Sequence, residues 1–528
     1  MSEDLSIDPL HRVAKRQTAW TRVNIAEGIP GVSTPLNWSW WDDANERMIR
    51  GAYYDIGVLS KVEIPPREAV DDRTSAIFFG RPALNVDISR RLSDLQPGTS
   101  GDALEEHYFG AVRPDVVSEP SRRRYPAIAM RIPVQWIGLP RRLTRLYAEV
   151  HSWWKDLVSG DQLADEAGAR AAFASARAHF DAVARPHSAL ALLCGALTQQ
   201  TAAVAAAAGC PERLLDVLGG YHSVELENIG ELLEVRNGTR SLDAFLMEHG
   251  YQGPMQGEIS SVPWRQDRGP LTALIESLGA AAADPVTIAK ERAASRERAE
   301  AQILAGVGPL RGRLARWLFS EGERMLPVRE LGKAAMMMAL DGARASARAR
   351  GGQFTRAGWL EDPEDVFYLT VPELAAGGNA TWRERVAARR TQREKFEALE
   401  LPESWLGNPE VLVPEPASTS SELAGLGVSP GVAEGPVRVV QDGSGQLEPG
   451  EILVCEATDP SYAGYFFVAA GVVTDIGGAM GHGSIVAREV GIPCVVNTRD
   501  ATRRLRTGDQ IRIDGGTGVI EILARTNV

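Results

Sequence analysis

Residues 408–422, NPEVLVPEPASTSSE, constrain this chain more than any other stretch. Three prolines followed by a Ser/Thr run sustain neither a helix nor a central strand, so the segment reads as a hinge linker between separately packed regions. The sequence on its two sides differs in kind. All twelve tryptophans lie at or before Trp405. Apolar residues three and four apart dominate before the linker, and short apolar runs broken by glycines follow it. A chain of 528 residues is long enough for about two to four domains. The linker predicts a division into 1–407, a hinge at 408–422 and a compact domain at 423–528.

Before the linker, residues 141–400 read as mainly helical, as in RRLTRLYAEVHSWWKDLV (141–158) and TIAKERAASRERAEAQILAGV (287–307). The first 140 residues are more mixed, with turns and short apolar runs such as Ala127 to Val134. The most membrane-like stretch, Ala189 to Gly209, is alanine-rich and interrupted by Gln199, Gln200 and Thr201. It reads as a packed helix, since alanine supplies little of the apolar surface that a bilayer span needs. Trp38, Trp40, Trp41, Tyr53 and Tyr54 are read as core rather than as the lining of a pocket.

A net charge of −12 argues against a nucleic-acid partner, which selects a basic face. Cys194, Cys210, Cys455 and Cys494 form no C-x-x-C pair and have no zinc-ligand spacing, so they read as buried reduced thiols. The polar N-terminus has no apolar signal core. The expectation is a cytoplasmic protein with no membrane partner.

After the linker, Gly435–Val440, Glu451–Cys455, Gly471–Thr474 and Pro493–Asn497 read as strands, Ser484–Val490 as a helix, and Arg512–Leu523 as a hairpin around Asp514 to Gly518. The informative run is Thr474 to Val496, TDIGGAMGHGSIVAREVGIPCVV. A strand enters Gly477-Gly478, glycines flank His482, and a helix begins at about Gly483-Ser484. Glycines allow a backbone to close around a bulky anion, and the amides and positive dipole end of a helix favour negative charge there. A neutral imidazole is a competent nucleophile near pH 7. The residues alone thus give an anion-friendly histidine. They give no Walker A loop, because no G-x-x-x-x-G-K-[ST] and no nearby lysine follow Gly477.

This run resembles the phosphohistidine signature of phosphoenolpyruvate synthases, pyruvate phosphate dikinases and rifampicin phosphotransferases, through the paired glycines, the histidine and A-R-E-x-G-I-P-x-V-V. Leu423 to Gly435, L-x-G-x-x-x-S-P-G-x-A-x-G, is similar to that domain's opening. The resemblance implies that His482 carries the phosphoryl group, held by Gly477, Gly478, Gly481, Gly483 and Ser484, in a swivelling β/β/α domain. Two positions depart from the family: Gly481 stands where Ser, Thr or Cys is usual, which removes one hydrogen bond to the phosphate, and Asn497 stands where glycine is usual.

Further upstream, Asn24 to Leu36, Phe79 to Asn85, Phe245 to Trp264, Arg329 to Lys333 and Asp362 to Thr370 resemble, in order, the acceptor domain of rifampicin phosphotransferases. That likeness implies Arg81, Tyr251, Gln252, Glu258, Arg329, Glu330 and Lys333 as acceptor-binding residues, although a structural ion-pair network explains the charged ones equally well. Tyr251-Gln252 replaces a His-Arg pair, which implies a less anionic acceptor.

Only a short tail follows His482, too little for a phosphoenolpyruvate barrel, and the acceptor-like region starts near residue 20, leaving no room for an ATP-grasp domain. The expectation is therefore an α+β protein, a large mainly helical acceptor domain followed by the swivelling domain. It would act as one subunit of a split dikinase-type phosphotransferase resembling phenylphosphate synthase. ATP and Mg²⁺ would sit on a separate ATP-grasp chain, this chain binding no metal, with release of AMP and phosphate by way of a pyrophosphoryl intermediate, and the acceptor would be a small organic hydroxyl. Three other readings stand beside it: a catalytically silent scaffold or regulatory homologue, a phosphoenolpyruvate-dependent carrier of the enzyme I type, and a complete kinase whose ATP site has no recognisable motif.

Overall fold

The computed structural model describes residues 8–526 except 24, 30, 110–111, 222–223, 279–284, 413–421, 441–446, 459 and 479–480. It is α+β, as the sequence predicts. Two compact units divide it: Met1–Leu190, Gly257–Ser260 and Gly332–Pro414 form the first, and Ala191–Gln256, Ser261–Leu331 and Glu415–Val528 the second.

The first unit holds a small antiparallel sheet of β1 (Ala19–Thr21), β2 (Ser75–Phe78), β3 (Arg81–Asn85) and β4 (Ser404–Leu406), in the order β2-β3-β1-β4. Its core is aromatic: Phe78 meets Trp20 at 5.1 Å and Trp405 at 5.4 Å between ring centroids, both edge-on. The β2–β3 turn places Phe79 (φ 48) and Gly80 (φ 75) in the left-handed region, which suits a two-residue hairpin. Helix Pro35–Asp55 starts on Thr34, whose side chain accepts from the Asn37 amide. Trp38, Trp40 and Trp41 on that helix are buried, Trp40 against Phe173 and Phe180; they are core, as expected.

Ala127 to Val134, read as a short run in a mixed region, lies inside a 35-residue helix, Tyr125–Ser159, which tolerates Pro133 and Pro140 in its interior. Among the described residues, helix Glu166–Ala207 is the one long and apolar enough by composition to cross a membrane. Within the alanine-rich stretch Ala189, Leu190, Leu193, Cys194, Leu197 and Val204 are buried, in keeping with a packed helix.

The second unit contains an eight-stranded sheet: β5 (Glu422–Ala424), β6 (Leu426–Ser429), β7 (Val432–Val439), β8 (Ile452–Cys455), β9 (Gly471–Thr474), β10 (Cys494–Val496), β11 (Gln510–Asp514) and β12 (Val519–Ala524). The order is β5-β12-β11-β7-β8-β9-β10-β6. Strands β7 to β10 are parallel to one another and the remaining pairs are antiparallel. The outermost strands, β5 and β6, are separated in the chain only by Gly425, whose amide donates to Gly518.

Near-continuous apolar runs in β8, β9 and β10 serve two cores at once, as parallel strands buried on both faces do. Ile452, Val454, Val473 and Val495 face one core with Leu423, Val437 and Ile511. Leu453, Cys455, Val472, Cys494 and Val496 face the other. That second core is completed by Ile229, Leu232, Phe245, Leu271 and Leu274 from helices Val224–Arg236, Leu242–His249 and Gly269–Ser277, and by Leu278 just after the last of them. Compactness therefore groups the C-terminal β/α region with helices from 191–256 and 261–331 rather than leaving it alone behind the linker. The physical reason is that its second apolar face is covered partly by its own Tyr465, Phe466, Val486 and Ala487 and partly by those helices. Residues 413–421 of the expected hinge lie outside the described residues.

All four cysteines are buried and free. Burial pushes the Cys494 thiol up to about 12 and that of Cys194 up to about 11, which keeps both as inert thiols.

Candidate functional site

The C-terminal ends of β8, β9 and β10 are stitched together by backbone bonds. Asp475 and Ile476 donate to Cys455 and Glu456, and Thr498 and Arg499 donate to Thr474 and Asp475. Loops leaving the carboxyl ends of parallel strands are where such sheets bind ligands. The loop after β9 is 475–481, and the helix it feeds, His482–Val490, opens on the histidine itself, two residues earlier than the sequence predicts.

Gly481 is the N-cap, with φ −67 and ψ 162 and no side-chain capping bond. It has no side chain to offer where the family usually has Ser, Thr or Cys. The Gly481 amide donates to Gly478, and the first intrahelical bond runs from Ile485 to Gly481. The amides of residues 482–484 belong to the first turn, where helices have no internal partner for their N–H groups. Ser484 is buried, and its hydroxyl donates to the Gly478 carbonyl at 2.7 Å, which ties the helix back onto the glycine loop. The His482 side chain and residues 479–480 lie outside the described residues.

The glycines have separate reasons. A Cβ at Gly483 would stand 2.3 Å from Thr458 Oγ1, and one at Gly477 would stand 2.9 Å from Val496 Cβ. Each admits a close neighbour that any side chain would displace. Gly491 closes the helix in the left-handed conformation, φ 86, with Gly491 and Ile492 both donating to Ala487. Asn497 sits at φ 58. That backbone position explains why glycine is usual there, and asparagine is among the residues that tolerate it.

Sequence reasoning missed the support beneath the loop. Asp475 is buried, and its carboxylate accepts from Thr498 Oγ1 at 3.1 Å, the Thr502 amide at 3.1 Å and the Thr502 hydroxyl. Burial raises its pKa, and these hydrogen bonds oppose the rise. Thr458, against Gly483, was missed as well. The available signal was a polar residue directly following an apolar strand, at 456–458 and at 475.

The seven residues expected to bind the acceptor divide between the units: Arg81, Glu258 and Lys333 in the first, Tyr251, Gln252, Arg329 and Glu330 in the second. Arg81 donates to the carbonyls of Phe396 at 2.8 Å and Leu399 at 2.7 Å. Buried Glu258 accepts from Thr34 Oγ1 at 2.6 Å, Ser33 Oγ at 3.2 Å and Ser260 Oγ at 3.0 Å, and the Arg344 guanidinium holds the Glu258 carbonyl at 3.0 Å. Arg329 and Glu330 pair at 2.9 Å. Tyr251 and Gln252 are buried side by side. For Arg81 and Glu258, the bonds the structure shows are those of a structural network.

Residues 447–518 match the mobile domain of PEP-utilising enzymes, and residues 199–330 match the fourth domain of rifampicin phosphotransferase. These two regions are similar to parts of the phosphotransferases of this superfamily. Among its relatives, a rifampicin phosphotransferase of Streptomyces sp is 34% identical over 319 residues, covering 56% of this chain and 36% of that enzyme. An uncharacterized protein of Mycobacterium tuberculosis is 40% identical over 206 residues, 38% of this chain and 24% of that one. The uncharacterized phosphotransferase YvkC of Bacillus subtilis is 34% identical over 185 residues, 32% and 22%. The chain thus spans about a third or less of each of these relatives. The two family regions, the mobile domain and the helical fourth domain, are the parts that share the second apolar core.

Proposed function

We propose that His482 is a phosphoryl carrier in an ATP-dependent, dikinase-type phosphotransferase. The observation that carries this reading is a helix opening on His482 at the C-terminal end of a parallel sheet, behind a glycine loop held by Ser484. Loading forms a P–N bond to a ring nitrogen of His482 as the donor's P–O bond breaks. Delivery breaks that P–N bond as an acceptor hydroxyl oxygen attacks phosphorus and gives up its proton. The first-turn amides and the helix dipole stabilise the added negative charge in both states, and in-line placement supplies most of the rate. Gly477 and Gly483 let the loop and the helix close onto Val496 and Thr458, and the run of glycines leaves the backbone free to approach the phosphoryl group.

We place ATP and Mg²⁺ on a separate ATP-grasp chain, with the acceptor a small organic hydroxyl bound by residues 1–407, and the protein in the cytoplasm. Relatives named rifampicin phosphotransferase support the reaction class. The replacement of a His-Arg pair by Tyr251-Gln252 supports a less anionic acceptor than theirs.

The test is intact-mass analysis after incubation with ATP, with and without a candidate ATP-grasp protein. An acid-labile adduct that appears only with the partner and disappears in His482→Ala is expected. An adduct unchanged in that variant overturns the reading.

A further inference from the structure

The net charge of −12 conceals a segment of the opposite sign. From Pro120 to Ala148 the chain has seven arginines and no Asp or Glu. This segment forms the start of helix Tyr125–Ser159 and the turn before it. One helix face is packed inward through Ile128, Leu139, Leu143 and Val150. The opposite face carries Met130, Val134 and Ile137, at the i, i+4, i+7 spacing of a single stripe, and they are 71%, 67% and 63% exposed.

Every exposed residue between Arg123 and Arg141 lacks a side-chain hydrogen-bonding group: Pro126, Ala129, Met130, Pro133, Val134, Ile137 and Gly138. The apolar face is about 18 Å long at the helical rise. Exposed Arg122 and Arg123 bracket it at one end, and Arg141, Arg142 and Arg145 at the other.

We infer that this face is a peripheral docking surface for an anionic lipid membrane. Arginines at both ends select a negatively charged partner and reject a second copy of the same face, since an antiparallel pairing would set arginine against arginine. Between the arginines no exposed side chain can hydrogen-bond, and half-buried Arg131 is engaged with the Tyr54 carbonyl, which leaves the amide of half-buried Gln135 at the edge of the face against the roughly one hydrogen bond per 100–200 Å² that a protein interface carries. A lipid surface asks for none: the apolar stripe enters the boundary between headgroups and acyl chains while the arginines stay with the phosphates. The expectation of no membrane partner rested on the lack of a signal core and of a spanning helix, neither of which bears on peripheral binding. The inference is independent of the phosphotransferase reading.

The experiment is flotation of the full chain with vesicles of phosphatidylcholine alone and of phosphatidylcholine mixed with phosphatidylglycerol, needing neither ATP nor partner. Binding to the mixed vesicles, weakened by salt, is expected. The double variant Arg141→Gln, Arg142→Gln should bind roughly thirtyfold more weakly. The triple variant Met130→Ser, Val134→Ser, Ile137→Ser should lose at least about tenfold; all three positions are exposed, so the fold is retained. Failure to float with mixed vesicles, equal binding to both vesicle types, or wild-type flotation by the triple variant overturns the assignment. So does retention of polyglutamate by this face without vesicle binding, which would mark it as a site for an acidic protein.

Discussion

Gly483→Ala probes how tightly the histidine helix is packed. In an exposed helix, Gly→Ala gains about 0.5–1 kcal/mol. Here the new methyl would stand 2.3 Å from Thr458 Oγ1 and 3.5 Å from Phe466 Cζ, and both neighbours are buried. Overpacking of that kind costs about 1–3 kcal/mol, so the clash wins by about 1–2 kcal/mol. The last tryptophan is Trp405, so no tryptophan lies within the C-terminal region itself. Amide hydrogen exchange over 482–490, read by mass spectrometry, measures the local opening directly. Exchange should quicken by about tenfold. Thr458→Ala removes the obstructing oxygen and leaves Thr458 Cβ, 3.4 Å away, as the nearest remaining atom. The double variant should therefore recover protection, to the wild-type level or above. Slower exchange in Gly483→Ala alone would refute the close approach, and additive effects of the two changes would refute the pairing.

Gly481→Ser supplies an N-cap hydroxyl at a backbone geometry that admits it. It should stabilise the helix by a few tenths of a kcal/mol and speed histidine phosphorylation, measured by the rate of adduct formation. Asn497→Ala should cost about 1–2 kcal/mol in exchange-derived local stability, because alanine at φ 58 meets its own carbonyl, whereas Asn497→Gly should be near neutral. The purified single chain should neither bind ATP tightly by calorimetry nor label His482; micromolar binding with self-labelling would refute the split arrangement. A broad-specificity protease should cut first within 408–422, yet the C-terminal fragment should co-elute with the remainder on gel filtration. Its second face shares a core with Phe245, Leu271, Leu274 and Leu278, so release of a free fragment would refute the permanence of that core.

Local chemistry made much of this protein legible in its sequence. Gly471–Thr474 is a strand with the bounds the apolar run predicts, and the hairpin around Asp514 to Gly518 forms as Gln510–Asp514 and Val519–Ala524. The histidine motif was legible because a strand, two glycines and a helix start are set by residues a few positions apart. The first half of the 35-residue helix Tyr125–Ser159 was not, because two prolines and a mixed apolar pattern hide its period, whereas residues 141–158 read as helical from their spacing. Nor was the role of Asp475, whose partners Thr498 and Thr502 lie more than twenty residues away.

The sequence by itself determined where the chain turns, which short apolar runs become strands, and which histidine stands behind a glycine loop. Each of these follows from steric and polar preferences acting within a few residues. Tertiary structure alone decided what covers the second face of β8 to β10, because apolar surface specifies that it must be buried and not by what. It likewise assigned Arg81 to two backbone carbonyls and Glu258 to a cluster of hydroxyls, since a charge in a sequence does not name its partner. It also left Met130, Val134 and Ile137 facing outward, a choice made by which side of the helix found a core to pack against.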